Sequence, residues 1–166
     1  MAESTSMSRK SVLFVCLGNT CRSPLAENML CHMLEEKGVL ADWKVDSAAI
    51  SDYMVGCEVN PSSNHQLEKN GIKRSQHRAK QITLEDYENF HYIFGFDEYI
   101  LEHLMKWKPA SSTSLIRLLG DLDPESDRII ADPYYIGDDA AFEKVFAQCK
   151  RCLEVFVEEV LGKCKT

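Results

Sequence analysis

Residues 11–24 read SVLFVCLGNTCRSP, and this stretch decides the fold of the chain. Its first six residues form a short apolar run rich in β-branched side chains, which predicts a buried strand ending at Cys16. A turn-like segment with Gly18 and Asn19 follows. Pro24 suits the first position of a helix, because its missing N–H would have no partner there. The stretch therefore predicts a strand, a tight loop and a helix in direct succession.

The remainder of the chain continues this alternation of strands and helices. The patterns predict further strands at 44–48, 92–96 and 115–118, and helices at 25–37, 66–70, 83–87, 97–106 and 139–161. Segment 53–64 is predicted as an irregular loop, and segment 119–135 as turn-rich. Such alternation implies an α/β fold with a parallel sheet covered by helices on both faces. Ligands of these sheets bind at the carboxyl ends of the strands, and the first strand ends at Cys16.

Length and composition indicate one domain. The chain has 166 residues, of which 45% are hydrophobic and 27% charged. That is enough to bury a core without help from disulfides or metal ions. We expect the polar residues 1–10 to be a flexible N-terminus and residues 11–166 to form the single domain.

Charge and hydropathy argue against several classes of function. A formal net charge of −7 disfavours a general nucleic-acid or membrane-surface binder, since such proteins are more often basic. No apolar run is long enough to span a membrane, and residues 1–10 lack the apolar centre of a secretory signal. We therefore expect a cytoplasmic protein, a monomer or weak dimer, whose 7 cysteines are mostly reduced. Cys149 and Cys152 form a CxxC pair, but they lie in an amphipathic helical pattern that favours packing over zinc binding.

The loop after the first strand carries the chemistry. A short arc between a strand and a helix start can point successive backbone N–H groups inward and bind an anion such as phosphate. Arg22 closes the arc, and its planar fork can bind two phosphate oxygens at once. Cys16 would lie at the bottom as a thiolate stabilised by the same donors, with Ser23 placed to donate a hydrogen bond to it. Gly18 and Asn19 are residue types that tolerate positive φ in such an arc.

A nucleophilic cysteine also needs a proton donor for the leaving group. Asp132 precedes Pro133, Tyr134 and Tyr135 in a turn-rich segment, where the proline would stiffen the turn and the tyrosines would wall a pocket. The residues alone leave open whether Asp132 is this acid or an ordinary turn residue. The rival acids are Asp123, Asp138 and Asp139.

These motifs together resemble the low-molecular-weight protein tyrosine phosphatases over residues 11–159. The resemblance rests on VCLGNTCRSPLAE (15–27), DSAA (46–49), HRAKQIT (77–83), FDE (96–98) and ADPYY (131–135). It implies a flavodoxin-like parallel sheet of four strands with flanking helices, and activity without a metal or other cofactor. It further implies phosphorylated protein substrates and a phosphate or similar oxyanion in the loop.

The resemblance also assigns roles to individual residues. Cys16, Arg22 and Asp132 match the nucleophile, the phosphate clamp and the general acid. The phosphate-binding loop further includes Leu17, Gly18, Asn19, Thr20, Cys21 and Ser23. In the family, the matches to Asn19, Ser23 and Ser47 shape the loop, assist the thiolate and buttress the asparagine, and His77 and Asp97 match a structural hydrogen-bond network. Cys21 matches a thiol that can form a reversible disulfide with the nucleophile, and Tyr134 and Tyr135 match tyrosines phosphorylated in some relatives.

Departures from the family pattern concern substrate choice. Tyr53 stands where many relatives have Trp and can still stack on an aromatic or guanidinium group. Thr20 stands where typical tyrosine phosphatases of the family have Ile, whereas bacterial protein-arginine phosphatases of the family have Thr. A Thr hydroxyl can make polar contacts near a guanidinium, while Ile would crowd it. Gly95 replaces a frequent Cys, which predicts altered packing only.

The leading hypothesis is therefore a cysteine-dependent protein phosphatase acting on phosphoarginine, phosphotyrosine or both, through a cysteinyl-phosphate. The main alternative is a plain phosphotyrosine or acid phosphatase in which Thr20 is neutral. Arsenate reductase, which shares the fold, is disfavoured because no cysteine lies between Cys57 and Cys149 to relay a disulfide. A non-catalytic phosphate-binding adaptor is disfavoured because the nucleophile, the arginine and the acid are all present.

Overall fold

The computed structural model describes residues 10–162. Residues 1–9, most of the predicted flexible N-terminus, lie outside the described residues, as do residues 163–166. The described part contains the strand, loop and helix that the opening stretch predicts.

Four parallel strands form one sheet, as the sequence predicts. They are β1 (Ser11–Cys16), β2 (Lys44–Ala49), β3 (Tyr92–Gly95) and β4 (Leu115–Leu118), and their order in the sheet is β2-β1-β3-β4. The chain moves from β1 to β2 in one direction across the sheet and from β3 to β4 in the other. The crevice where this order reverses lies between β1 and β3, so Cys16, at the carboxyl end of β1, borders the place where such sheets bind ligands.

Within residues 10–162, five α-helices flank the sheet. They are α1 (Arg22–Glu36), α2 (Pro61–Lys69), α3 (Asp86–Asn89), α4 (Glu98–Trp107) and α5 (Asp139–Leu161), with short 3-10 helices at Leu40–Asp42 and Leu119–Leu122. The crossovers through α1 and α4 run in opposite directions across the sheet. Since such crossovers are right-handed, the two helices lie on opposite faces. This is the flavodoxin-like arrangement of helices on both faces that the sequence predicts. Among the described residues, no helix has both the length and the apolar character that crossing a bilayer requires.

The starts of three helices differ from the predictions, and in two of them a capping side chain sets the start. Helix α1 begins at Arg22, so Pro24 is its third residue, a position whose N–H also has no intrahelical acceptor. Helix α2 begins at Pro61, inside the segment predicted to be irregular, because Asn60 accepts a hydrogen bond from the backbone N–H of Ser62. Asp97 is not the first residue of α4 but its N-cap, accepting from the backbone N–H of Ile100.

The core fixes the end of β1 firmly. All six residues of β1 are buried, and Phe14 stacks on Phe94 with ring centroids 5.9 Å apart. Phe156 of α5 packs edge-on against Phe94 at 5.3 Å. Cys149 and Cys152 are fully buried on the same helix, which confirms the packing interpretation of the CxxC pair. A strand buried on both faces cannot shift without losing these contacts, so the position of Cys16 is set by the core.

The turn after β4 depends on one glycine. A Cβ atom on Gly120 would lie 2.0 Å from the backbone oxygen of Arg128, so the chain doubles back on itself here more closely than any other residue allows. Replacing Gly120 with Ala must therefore displace the segment that leads to Asp132.

We predict that Gly120→Ala lowers the free energy of unfolding by about 3 kcal/mol, because backbone cannot move aside as a flexible side chain can. Urea titration of both proteins measures the change. Gly38→Ala is the control: φ is +74° there but no atom lies within 4 Å of the new Cβ, so a loss of only about 1 kcal/mol is expected. Equal losses in the two variants would contradict the close-approach argument.

Candidate active site

A cleft of about 110 Å³ opens onto the loop between β1 and α1. The loop residues Cys16, Arg22 and Thr20 form part of its lining, and all three are at least nine-tenths buried. The outer walls are Tyr53, Met54, Asp132, Tyr134 and Tyr135. The structure thus brings together the predicted nucleophile, clamp, acid and specificity residues at one site.

Outward hydrogen bonds hold the loop backbone. Four of its carbonyl oxygens accept bonds from residues outside the loop. These bonds join the oxygens of Cys16, Leu17, Thr20 and Cys21 to the donors Ile50 N, Ser51 N, Asn60 N and Ser63 Oγ, respectively. In a trans peptide unit the N–H points opposite to the C=O, and no described peptide bond is cis. The following N–H groups therefore point away from those donors, toward the inside of the loop, as an anion nest requires.

Asn19 is the residue that turns the loop. Its φ of 59° places it in the left-handed region, as expected for this residue type. Gly18 tolerates positive φ but does not adopt it in the structure. Its lack of a side chain serves a different purpose, because a Cβ there would lie 3.1 Å from the side chain of Met54 in the cleft wall.

The Asn19 side chain uses all four of its hydrogen-bonding positions. Its Nδ2 donates to Ser23 Oγ at 2.8 Å and to Ser47 Oγ at 3.0 Å. Its Oδ1 accepts from the backbone N–H of Lys80 at 3.0 Å and contacts His77 Nε2 at 2.9 Å. Because an amide oxygen only accepts, His77 must carry a proton on Nε2. Ser47 and His77, which the sequence resemblance predicts to be supporting residues, thus both lie within hydrogen-bonding distance of Asn19.

This amide also sets the direction of two hydroxyl groups. Ser23 accepts from Asn19, so its own hydrogen is available for Cys16 Sγ, which lies 2.9 Å from Ser23 Oγ. Ser47 accepts from the same amide and donates to Glu27 Oε1 at 2.6 Å. The geometry therefore gives the Cys16 sulfur a preoriented hydrogen-bond donor.

The Arg22 guanidinium is held in place through its Nη1 nitrogen. Its Nη1 donates to Asp97 Oδ2 at 2.7 Å and to the backbone oxygen of Ile130 at 2.9 Å. Its Nε is buried with no acceptor among the described residues, and Nη2 lies 3.5 Å from Asp132 Oδ2. Burial works against the charge, but Cys16, Asp97 and Asp132 raise the pKa of Arg22. The Nε–Nη2 edge is therefore the side available to an oxyanion, and Asp97 is the residue that orients it.

Asp132 faces this edge from the opposite wall. Its Oδ1 accepts from the backbone N–H of Tyr134 at 3.0 Å, and Pro133 is buried behind it. Among the four candidate acids it alone lines the cleft. Asp123 is bound by Arg151 through both oxygens, which lowers its pKa, and Asp138 caps α5. Geometry thus favours Asp132 over these rivals.

Cys21 behaves differently from its neighbour in the loop. Burial, followed by smaller effects that include the charge of Cys16, raises the pKa of Cys21 to about 12. Cys21 therefore remains a protonated thiol near neutral pH. Both cysteines are free thiols in this structure.

Sequence reasoning missed a polar cluster behind the loop. Glu27, Asp46 and His77 have donor atoms within 4.8 Å of one another, close enough for a metal ion, but Lys80 pairs with Asp46 and supplies a cation there. Burial raises the pKa of Glu27 to about 7, and burial lowers that of His77. Their contact, 3.8 Å from Glu27 Oε1 to His77 Nδ1, is therefore better described as one between neutral groups than as an ion pair. The sequence did hold a hint of this cluster: Glu27 lies four residues after Ser23, and therefore one helical turn away from the loop on the same side of the helix.

Comparison with known proteins agrees with this geometry. Residues 11–165 match the sequence model of the family described as low molecular weight phosphotyrosine protein phosphatase. The pig protein of that name is 44% identical over 153 residues, covering 91% of this chain and 96% of that protein. The structure of Primo-1 superposes with a TM-score of 0.86 at 39% identity, covering 92% of this chain and 99% of that chain. DARP, a Drosophila arginine phosphatase, superposes with a TM-score of 0.83 at 36% identity, covering 90% of this chain and 96% of that chain.

We predict that Glu27 makes stability depend on pH. The unfolded chain loses this proton near pH 4.5, whereas the folded protein keeps it until about pH 7. The folded state therefore binds more protons between these values, so its stability falls as pH rises through them. Relative to Glu27→Gln, the wild type should lose on the order of 3 kcal/mol between pH 4 and pH 8.

Urea titrations of the two proteins across this range measure the difference in unfolding free energy. Other titrating groups are common to both proteins and largely cancel in it. A difference that is constant, or that grows in favour of the wild type as pH rises, would contradict the assignment of a protonated, buried Glu27.

Proposed function

The chain belongs to the low-molecular-weight phosphotyrosine protein phosphatase family, and on this basis we propose that it hydrolyses phosphoarginine, phosphotyrosine or both in proteins through a phosphocysteine at Cys16. The main support for this proposal is the set of groups that the loop between β1 and α1 brings together. It combines inward N–H groups, a sulfur with a directed donor from Ser23, and the unpaired Nε of Arg22. These are the parts that transfer of a phosphoryl group to sulfur needs.

In the first half of the proposed reaction, the thiolate of Cys16 attacks phosphorus. The bond from phosphorus to the oxygen or nitrogen of the substrate breaks as the sulfur–phosphorus bond forms. Asp132, in its protonated form, donates its proton to the departing atom. The phosphoryl oxygens are held by the loop N–H groups and by the Nε–Nη2 edge of Arg22, so charge is stabilised by donors that are already in place.

In the second half, water attacks phosphorus and displaces the sulfur. Asp132, now a carboxylate, takes a proton from that water, and inorganic phosphate is released. Ser23 donates its hydrogen bond to the departing thiolate and so favours cleavage of the sulfur–phosphorus bond. Cys16 and Asp132 return to their starting forms, and protons and electrons balance over the cycle.

Thr20 supports phosphoarginine as one of the substrates. The residue lines the cleft and is 7% exposed, and its hydroxyl lies 3.9 Å from Cys21 Sγ, a weak contact that leaves it free to bind other groups. A guanidinium has N–H groups that such a hydroxyl oxygen can accept from, whereas a phenyl ring has none. Likeness to the Drosophila arginine phosphatase supports this reading, and the pig relative supports phosphotyrosine.

The tyrosines of the cleft suit either substrate. Tyr53, Tyr134 and Tyr135 are more than half exposed, and the last two pack edge to face with ring centroids 5.6 Å apart. Aromatic faces stack on a phenyl ring and on a planar guanidinium alike. These walls therefore support binding of a flat group next to the phosphate, while Thr20 distinguishes the two kinds of flat group. We also infer a cytoplasmic location, since Cys16 acts only as a reduced thiol.

We predict that Cys16→Ser lowers turnover of both phosphopeptides by at least about a thousandfold, because a serine hydroxyl stays protonated in this loop and cannot attack phosphorus. Release of inorganic phosphate measures the loss. Cys57→Ser, which changes an exposed cysteine next to the cleft wall, is the matched control and should retain activity. Substantial turnover by Cys16→Ser would contradict the proposed role of Cys16 as the nucleophile.

We predict that Thr20→Ile lowers the ratio of kcat/KM for phosphoarginine peptide to that for phosphotyrosine peptide by roughly tenfold. Ile adds bulk and removes the hydroxyl, so Thr20→Val, which removes the hydroxyl at nearly constant volume, separates the two effects. Both ratios are measured with peptides of the same flanking sequence. An unchanged ratio in both variants would mean that Thr20 is neutral and that the cleft does not use it to select substrates.

A further inference from the structure

The segment that carries Asp132 runs over the surface between β4 and α5. Asp132 itself makes one short hydrogen bond, with the backbone N–H of the nearby Tyr134. Its 3.5 Å approach to Arg22 Nη2 is too long to hold the carboxyl in place. The position of the acid must therefore come from the main chain just before it.

That main chain is anchored at two consecutive residues. Ile130 is fully buried, donates its N–H to the backbone oxygen of Phe96 at 2.9 Å and accepts from Arg22 Nη1. The neighbouring carbonyl, that of Ile129, accepts from Gln148 Nε2 at 3.0 Å. Only two residues separate Ile129 from Asp132. A rotation of the Ile129 peptide group would therefore move the Asp132 carboxyl.

Gln148 is unusual among the residues of α5. Its neighbours on the buried stripe are apolar, yet this amide is 2% exposed. Its second Nε2 hydrogen reaches Asp127 Oδ2 at 2.9 Å, so both donors bind the acid-bearing segment. Three residues further along the helix, Arg151 binds Asp123 at the start of the segment.

We propose that Gln148 is a positioning residue for the general acid, holding the Ile129 carbonyl so that Asp132 faces the leaving group bound in the loop of Cys16. The inference rests on the proposed function, since it assigns Gln148 a task in that reaction. Helix α5 thus contributes to chemistry through the segment rather than through any contact with substrate. If Gln148 had only a structural role, its hydrogen bonds would stabilise the fold, and their loss would not affect proton transfer from Asp132.

The dependence of rate on the leaving group separates these two roles. Departure of phenol from phenyl phosphate needs a proton donor, whereas para-nitrophenolate departs readily without one. Gln148→Met keeps the length of the side chain and removes its donors. We expect this variant to lose about tenfold in kcat/KM toward phenyl phosphate and less than about threefold toward para-nitrophenyl phosphate.

Three further variants make the test decisive. Asp132→Asn should show the same selectivity for the poor leaving group with a larger loss. Val145→Ala, a buried apolar change on α5, should lower stability but reduce both rates alike. If Gln148→Met fails to fold, Gln148→Asn, which withdraws the amide from Ile129, should give the same selective loss.

Each remaining result contradicts a different statement. If Asp132→Asn is selective but the Gln148 variants lower both rates equally or not at all, Gln148 has no positioning role and the proposed function stands. If Asp132→Asn itself shows no selectivity, the acid is misassigned, and the proposal for Gln148 falls with it.

Discussion

Asn19 holds the site together through one side chain in an uncommon backbone conformation. Its left-handed backbone turns the loop back over the end of β1, and its amide fills all four hydrogen-bonding positions. Because Lys80 donates a backbone N–H to the amide oxygen, the amide has only one consistent orientation. That orientation makes Ser23 a donor to Cys16 and Ser47 a donor to Glu27. The hydrogen bonding of the Cys16 sulfur therefore depends on groups well outside the cleft.

An acidic protein can still present a local positive field to an oxyanion. The formal net charge is −7, yet the loop presents several N–H groups and a buried guanidinium at one point. Asp97 neutralises part of the Arg22 charge but accepts a hydrogen bond only from Nη1. The Nε–H therefore has no acceptor among the described residues and is left for an oxyanion. Ile130 receives a second bond from the same nitrogen, so the clamp and the acid-bearing segment are fixed to each other. The proposed clamp and the segment that carries the proposed acid thus share one set of hydrogen bonds.

The fold and the cleft residues could be predicted because the signals are local. Alternating strands and helices specify the parallel sheet, and the spacing from Cys16 to Arg22 specifies the loop. Hydrophobic periodicity does not predict the start of α2, since residues 62–65 are polar; the available signal there was the Asn60 cap followed by Pro61 at the first helical position. The burial of Glu27 and the hydrogen bonds from Gln148 to the segment that carries Asp132 depend on contacts between distant parts of the chain. No local sequence pattern reports such contacts. A glutamine beside Cys149 on an otherwise apolar helix face was the one available hint.

The proposed reaction passes the phosphoryl group through the sulfur of Cys16, and trapping of the phosphocysteine is the decisive measurement. Asp132→Asn lacks the base for the second step and the acid for the first, but para-nitrophenolate departs without an acid. Rapid mixing with para-nitrophenyl phosphate labelled with radioactive phosphorus, followed by acid quenching, should therefore leave label on the protein. Peptide mapping should place the label on Cys16, as a phosphorus bound to sulfur. Label on any other residue, or full turnover with no labelled protein at the shortest times, would contradict the account.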